Sequence, residues 1–329
     1  MTMYGMSKLE TMSPKYLQSF KTGRLREVAD IFYHKLKTCD ICPRNCKVNR
    51  LEGKLGFCRT AEKAKVYSYL KHRGEEPAVS GNKGSGTIFF AGCNLKCVYC
   101  QNFEFSQQEN GREVTDEEIA AFMLELQDGG CHNINFVTPS HVLPQILRGL
   151  IIAIPHGLKI PLVYNSSGYD SLDSLKLLDG IIDIYLPDAR YADEKIAQKY
   201  SQAKDYSQIN RVALKEMHRQ VGVAKLDKNG IIEGGLIIRH LVLPDHLSGT
   251  REIMRFIAQE LSPETYISLM SQYYPYYKAE SFKELSRRIT PKEYQEAKDI
   301  MAEYGLHNGW IQDDRGQDNL AGVNIKGNI

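Results

Sequence analysis

Cys93, Cys97 and Cys100 fall within residues 92–102 (GCNLKCVYCQN), spaced C-x3-C-x2-C. Thiolates are the soft ligands that hold iron–sulfur clusters and zinc. Three this close can take three corners of a [4Fe–4S] cube, which when closed takes four cysteines. The missing fourth ligand leaves one iron open, and an open position separates catalytic metal sites from structural ones. A zinc site would need a fourth ligand from elsewhere, and none lies beside the motif.

Four of the remaining cysteines make a different kind of set. Cys39, Cys42, Cys46 and Cys58 are spaced C-x2-C-x3-C-x11-C. Four is a closed number, so this site reads as structural zinc or a second, fully ligated [4Fe–4S] cluster. Arg44, Lys47 and Arg50 lie close by and would offset its negative charge. Cys131 stands alone and reads as a small buried hydrophobe.

The 329 residues suffice for one large α/β unit with additions. With 42% hydrophobic and 25% charged residues, the composition is that of a soluble globular protein. A formal net charge of +2 offers no global field for nucleic acid or membrane. The first residues carry no signal-like apolar run, and the most apolar stretch, 149–154 (GLIIAI), is too short to span a bilayer. The expected location is the cytoplasm, where thiols stay reduced and clustered cysteines act as metal ligands.

The elements that must position the cysteines follow from the apolar pattern. Six short runs read as strands: 87–91, 133–137, 161–165, 181–186, 236–243 and 266–270. They are nearly continuous, as parallel strands buried on both faces should be. Amphipathic segments at 115–127, 142–153, 171–178, 205–221 and 250–261 read as the helices between them. Thr115 and Glu118 make a capping box, and Thr290 with Pro291 opens a last helix. The expected fold is α/β: a partial (β/α)6 TIM-type barrel with an N-terminal four-cysteine metal-binding extension. The expected divisions are 1–80 for the extension, 81–275 for the barrel, and 276–329 for a final helix and loose tail. The three-cysteine motif then falls in the first βα loop, at the face where such barrels place active sites.

Other residues invite a role by position. Residues 72–77 (HRGEEP) read as a polar surface turn or, since they lead straight toward the cluster loop, as a segment closing over the active site, and 272–277 (QYYPYY) as an aromatic barrel entrance or a packed corner. Arg239, inside an apolar strand, needs a partner, and Asp183 is one candidate. His240 alternates to the opposite face and reads as a satisfied core histidine.

Cys93-x3-Cys97-x2-Cys100, with Tyr99 before the last cysteine, resembles the signature of the radical S-adenosylmethionine (SAM) superfamily. The resemblance implies a [4Fe–4S] cluster whose open iron chelates SAM, reductive cleavage of SAM to a 5′-deoxyadenosyl radical, and hydrogen abstraction. It also implies a reducing donor such as flavodoxin or ferredoxin. Cys42-Pro43-Arg44, HRGEEP, SGTIFFAGCNLKCVYCQN, VTPSH, YISLMSQYYP and GLHNGWIQ resemble the branch called pyruvate formate-lyase activating enzyme-like. The superfamily's Gly-Gly-Glu after strand two is absent here, where Val137-Thr138-Pro139-Ser140-His141 stands. On this resemblance Thr138, Ser140 and His141 are candidates for the SAM ammonium, although Ser140 would equally cap the next helix. Asn165 and Ser167 end strand three and are candidates for the ribose or methionine. Asp188 and Arg190 end strand four, and each would equally make a loop ion pair. Arg239 would grip the SAM carboxylate with its two-pronged guanidinium, and Tyr99 would contact the cofactor.

The leading expectation is a radical SAM enzyme acting on a protein, in the manner of glycyl-radical-enzyme activases. Modification of RNA or a small metabolite is the alternative within enzymes. Outside enzymes the alternative is an iron–sulfur or zinc protein that carries electrons or senses.

Overall fold

The computed structural model describes residues 13–312. Ten strands appear there: β1 Ala64–His72, β2 Ser85–Phe90, β3 Arg112–Val114, β4 Ile134–Val137, β5 Leu162–Asn165, β6 Ile184–Tyr185, β7 Lys225–Leu226, β8 Ile232–Leu241, β9 Tyr266–Met270 and β10 Gly309–Ile311. They form one sheet in the order β10-β9-β8-β6-β5-β4-β2-β1-β3, with β7 paired to β8. From β2 through β10 every pairing along that path is parallel, while β1 runs antiparallel to β2 and β3. The six expected strands are therefore present, in sequence order, as a parallel sheet with helices between them. This is a partial α/β barrel.

The differences have local causes. β6 is shorter than 181–186 because Asp183 turns its carboxylate to the backbone N–H groups of Lys15 and Leu162, at 2.7 and 2.9 Å. β8 begins earlier than 236 because its first residues fold back on β7. β1 lacks a continuous apolar run; its burial alternates instead, as in a strand with one covered face. β10 lies where a loose tail was expected, and the tail beyond 312 falls outside the described residues.

The capping boxes form as expected. Thr115 Oγ1 accepts from Glu118 N at 3.2 Å and Glu118 Oε2 accepts from Thr115 N at 2.8 Å, opening Asp116–Asp128. Thr290 and Glu293 repeat the arrangement for Pro291–Glu303. A helix not foreseen, Arg24–Lys35, buries Leu25, Val28, Ala29 and Phe32 at helical spacing and packs on Leu143–Ala153. Residues 13–80 thus share the sheet and the core.

Alternation along the strands decides what the barrel interior holds. Ile88, Phe90, Phe136, Tyr164 and Ile238 join the main core under the helices. Phe89, Val137, Asn165, Arg239 and Ser268 point the other way and line a cavity. The short helix Pro77–Ser80 plugs the barrel: Ala78 and Val79 pack with Val163, Ile184 and Ile237. No described helix is long and apolar enough to cross a membrane.

Candidate functional site

After β2 the chain turns at Gly92 (φ 83°), the left-handed conformation glycine tolerates. The loop that follows puts Cys93, Cys97 and Cys100 on the wall of one cavity of about 410 Å³. Every sulfur has a donor or hydroxyl beside it. Leu95 N–H reaches Cys93 Sγ at 3.3 Å, Ser201 Oγ donates to Cys97 Sγ at 3.0 Å, and Cys100 Sγ lies 3.1 Å from Ser106 Oγ. Arg190 adds Nη1 to Cys97 Sγ at 3.5 Å. Burial first, and then the neighbouring Cys97 sulfur, push the Cys93 thiol up to about 12 and raise Cys100 as well. Left alone such thiols hold their protons, and bound metal cations reverse that balance. Among the described residues no three His, Cys, Asp or Glu side chains close round a single ion. These cysteines face a shared void instead.

The same cavity is lined by Tyr99, Thr138, Asn165, Ser167, Asp188 and Arg239. Thr138 sits at φ 59°, a left-handed conformation unusual for a β-branched residue, of the kind that clusters at functional sites. Tyr99 turns its hydroxyl away, to Tyr191 at 2.5 Å, and leaves its ring in the wall.

Arg239 is bound by the protein itself. Its Nε donates to Asp188 Oδ1 at 2.8 Å, its Nη2 to Asn165 Oδ1 at 2.6 Å, and its Nη1 lies 3.7 Å from Glu75 Oε2. Asp183, the partner considered from sequence, points elsewhere, and burial raises its carboxyl to about 6. Arg190 Nη2 takes the other oxygen of Asp188 at 2.5 Å. Burial works against the charge on Arg190, but Asp188 and, after it, the Cys97 sulfur outweigh it and hold its pKa well above the ordinary value. Asp188 therefore ties two guanidiniums into the space between β6 and β8.

Ser140 and His141 do not reach the cavity. Ser140 Oγ donates to the buried Asp170 at 2.5 Å, which also takes hydroxyls from Tyr164 and Ser166 at 2.8 and 2.6 Å. Ser140 is thus neither in the cavity wall nor a helix cap; it braces the end of β5 from behind. The His141 ring turns to the backbone carbonyl of Ala91 at 2.9 Å, and burial lowers its pKa to about 4, so it is neutral. His240 is the satisfied core histidine expected, bonded to Ala189 O and Thr250 Oγ1. Cys131 is buried, also as expected. Of residues 272–277, Gln272 lines the cavity, while Tyr273 is buried and donates to Leu285 O.

Sequence reading placed 72–77 as a surface turn or a cover over the site without singling out Glu75 and Glu76. They enter the cavity from the plug, in line with the second reading. Burial raises both carboxyls, Glu76 to about 7, despite Arg239 pulling the other way. Glu76 Oε2 is buried with no hydrogen-bond partner. The available signal was the apolar run Pro77-Ala78-Val79 after the acidic pair, which draws in whatever precedes it. Trp310 and Ile311 of β10 complete the rim.

The other four cysteines, Cys39, Cys42, Cys46 and Cys58, line a second, smaller cavity together with Arg44, Arg50 and His141. Burial raises the Cys42 thiol, and the charges of Cys58, Cys39 and Cys46 add to the shift.

The family model described as the Radical SAM superfamily matches residues 87–257, just over half of the chain and the span that carries the three-cysteine loop, Asp188 and Arg239. This chain belongs to the radical SAM superfamily. It is 32% identical over 300 residues to Uncharacterized protein MJ0674 of Methanocaldococcus jannaschii, covering 88% of this chain and 82% of that protein. Uncharacterized protein MJ0808 of the same organism is 26% identical over 272 residues, with 75% of each covered. Among solved structures the chain is similar to HydG, a maturase of the [FeFe]-hydrogenase, at 9% identity and TM-score 0.45, covering 95% of this chain and 67% of that one.

Membership in the radical SAM superfamily implies a [4Fe–4S] cluster and SAM. The residues present fit them. Three thiols, Cys93 and Cys97 buried and Cys100 partly so, share one cavity wall, each beside a donor or hydroxyl, and Arg190 Nε beside them is buried without a partner. Across the same cavity stand hydroxyl, amide and carboxylate groups able to bind a zwitterion.

Proposed function

We propose that this chain is a radical SAM enzyme that abstracts hydrogen from a protein substrate, in the manner of the activases of glycyl radical enzymes. The observation that carries the chemistry is the convergence of Cys93, Cys97 and Cys100 on a 410 Å³ cavity walled by polar strand ends. In this reading those cysteines hold a [4Fe–4S] cluster, and Thr138, Asn165, Ser167 and Asp188 offer hydrogen bonds to SAM. Bound together, cluster and SAM supply a 5′-deoxyadenosyl radical. Arg239 and Arg190 clamp Asp188 in place, and the Tyr99 ring packs beside the cofactor. The protein-substrate reading is supported by the open sheet, whose edges are β3 and β10. It is also supported by the rim, where Ile311 is 49% exposed.

The test is anaerobic reconstitution with iron and sulfide, reduction, and electron paramagnetic resonance (EPR) with and without SAM. A cluster signal that changes on adding SAM, with formation of 5′-deoxyadenosine, is expected. Co-incubation with a glycyl radical enzyme from the same cell should then give a protein-centred radical. A spectrum indifferent to SAM refutes the chemistry; 5′-deoxyadenosine without a protein radical refutes the substrate.

A further inference from the structure

The two cysteine sites share a wall. Gly92, next to Cys93, packs so closely on the other site that a Cβ there would lie 2.5 Å from the Cys58 carbonyl oxygen. Arg44, two residues after Cys42, donates Nε to the carbonyl of Asn94 at 2.7 Å. The His141 ring lines the four-cysteine cavity and donates Nε2–H to Ala91 O at 2.9 Å. Three bridges thus land within two residues of Cys93.

The four-cysteine cavity is also prepared for an anion. Arg44 Nη2 and Arg50 Nη2 are buried there without hydrogen-bond partners, and Arg50 is 1% exposed. A buried donor left unpaired destabilises the fold unless an occupant supplies its acceptor. Two such donors beside four sulfurs fit an occupant that is negative and rich in sulfur acceptors, as a thiolate-bound iron–sulfur cluster is. Gly56 leaves room for the sulfur of Cys46, since a Cβ there would lie 2.9 Å from it.

The surface over this site is basic. Residues 35–65 hold nine Lys and Arg, of which Arg50 is buried, against three Asp and Glu; Lys47 and Lys54 are exposed, each beside a single carboxylate, Asp40 and Glu52. Cys46 is the least buried of the four cysteines. The loop touching it carries Lys54 and Leu55, the latter 44% exposed. A cationic collar round an apolar contact suits an acidic protein.

We infer that the four-cysteine site holds a second iron–sulfur cluster serving as the electron port. It takes one electron from an acidic one-electron carrier protein docked at the collar and hands it to the three-cysteine site. The carrier is oxidised by one electron, the port is reduced and then reoxidised by one, and no proton or atom moves. The electron's destination rests on the radical SAM reading.

The test uses the full chain, reconstituted anaerobically in the presence of iron, sulfide and zinc. Wild type should hold about eight irons and no stoichiometric zinc, and Cys93→Ala/Cys97→Ala/Cys100→Ala about four irons with a reduced-cluster EPR signal. About four irons plus one zinc in wild type overturns the inference. In stopped flow, reduced flavodoxin is the acidic donor and dithionite the small one. Lys47→Glu/Lys54→Glu, which leaves every cysteine in place, should slow reduction by flavodoxin about tenfold or more, as should added salt. Reduction by dithionite should change far less. A flavodoxin rate indifferent to both charge reversal and salt overturns the docking face. A SAM-insensitive spectrum with eight irons would sink the SAM reading alone, so the two failures are distinguishable.

Discussion

Replacing Glu76 by Gln should stabilise the protein above neutral pH and leave it unchanged in acid. Glu76 sits in the cavity with Oε2 buried and unpartnered, and burial carries its carboxyl from the ordinary 4.5 to about 7. The folded state therefore holds this proton more tightly than the unfolded chain. Below pH 4.5 both states are protonated and the group has no effect. Between 4.5 and 7 the unfolded chain ionises first, and stability falls as pH rises. Above 7 the loss is complete, at about 3 kcal/mol from the size of the displacement. Glutamine has no proton to lose, so Glu76→Gln escapes the whole fall. Its coupling to Glu75 makes that figure an upper value, because removing one charge also eases the other. For a chain of 329 residues the gain is about 4 °C in Tm at pH 8. The assay is thermal unfolding by circular dichroism of both proteins in the same metal-loading state, at pH 5 and pH 8. A Tm that drops at pH 8, or shifts equally at both pH values, would show that the carboxylate is satisfied and the reasoning wrong.

Cys97→Ala should abolish SAM cleavage, read as 5′-deoxyadenosine, while the protein stays folded by circular dichroism; retained cleavage would remove Cys97 from the chemistry. Arg239→Met leaves Glu75 buried without its counter-charge and Asp188 with Arg190 alone. It should cost about 3–5 kcal/mol in urea unfolding. Arg239→Lys keeps the charge but loses the two-pronged hold on Asp188 and Asn165, and should fall between wild type and Met. Equal stability of the Met and Lys variants would mean that charge plays no part. Ser140→Ala removes one of three hydroxyls from Asp170. It should cost about 1–3 kcal/mol of stability yet leave SAM affinity, followed by the fluorescence of the single tryptophan Trp310 in the cavity rim, within about twofold. A large loss of affinity with intact stability would return Ser140 to the site.

The parallel sheet was legible because buried strands must be apolar on both faces, and β2, β4, β5 and β9 keep that pattern almost without interruption. The cluster loop was legible because spacing alone specifies a three-thiolate site. β1 escaped notice because it pairs antiparallel at the side of the barrel and alternates polar with apolar residues. The partners of Arg239 were not legible from the position itself. A buried guanidinium announces that a carboxylate must face it, but Asp183 and Asp188 lie on the same segment. The choice depends on where β6 ends, and it ends early enough to free Asp188 for the cavity.

Glu75 and Glu76 are the sharper case. Two glutamates, a glycine and an arginine in six residues read locally as solvent-facing, since charged side chains are seldom buried without a partner. The structure buries them because the next turn, Pro77–Ser80, must close the open end of an incomplete barrel, and Ala78 and Val79 are the residues that fill it. Once that plug is seated, the residues before it have nowhere to go but the cavity, where Arg239 offers part of the compensation they need. The unmet remainder, on Glu76 Oε2, faces the space that the radical chemistry would use. A buried carboxylate left short of partners is stable only if the rest of the fold carries its cost. On that reasoning the acidic pair is where a hydrogen-bond-donating group of the substrate would find its place.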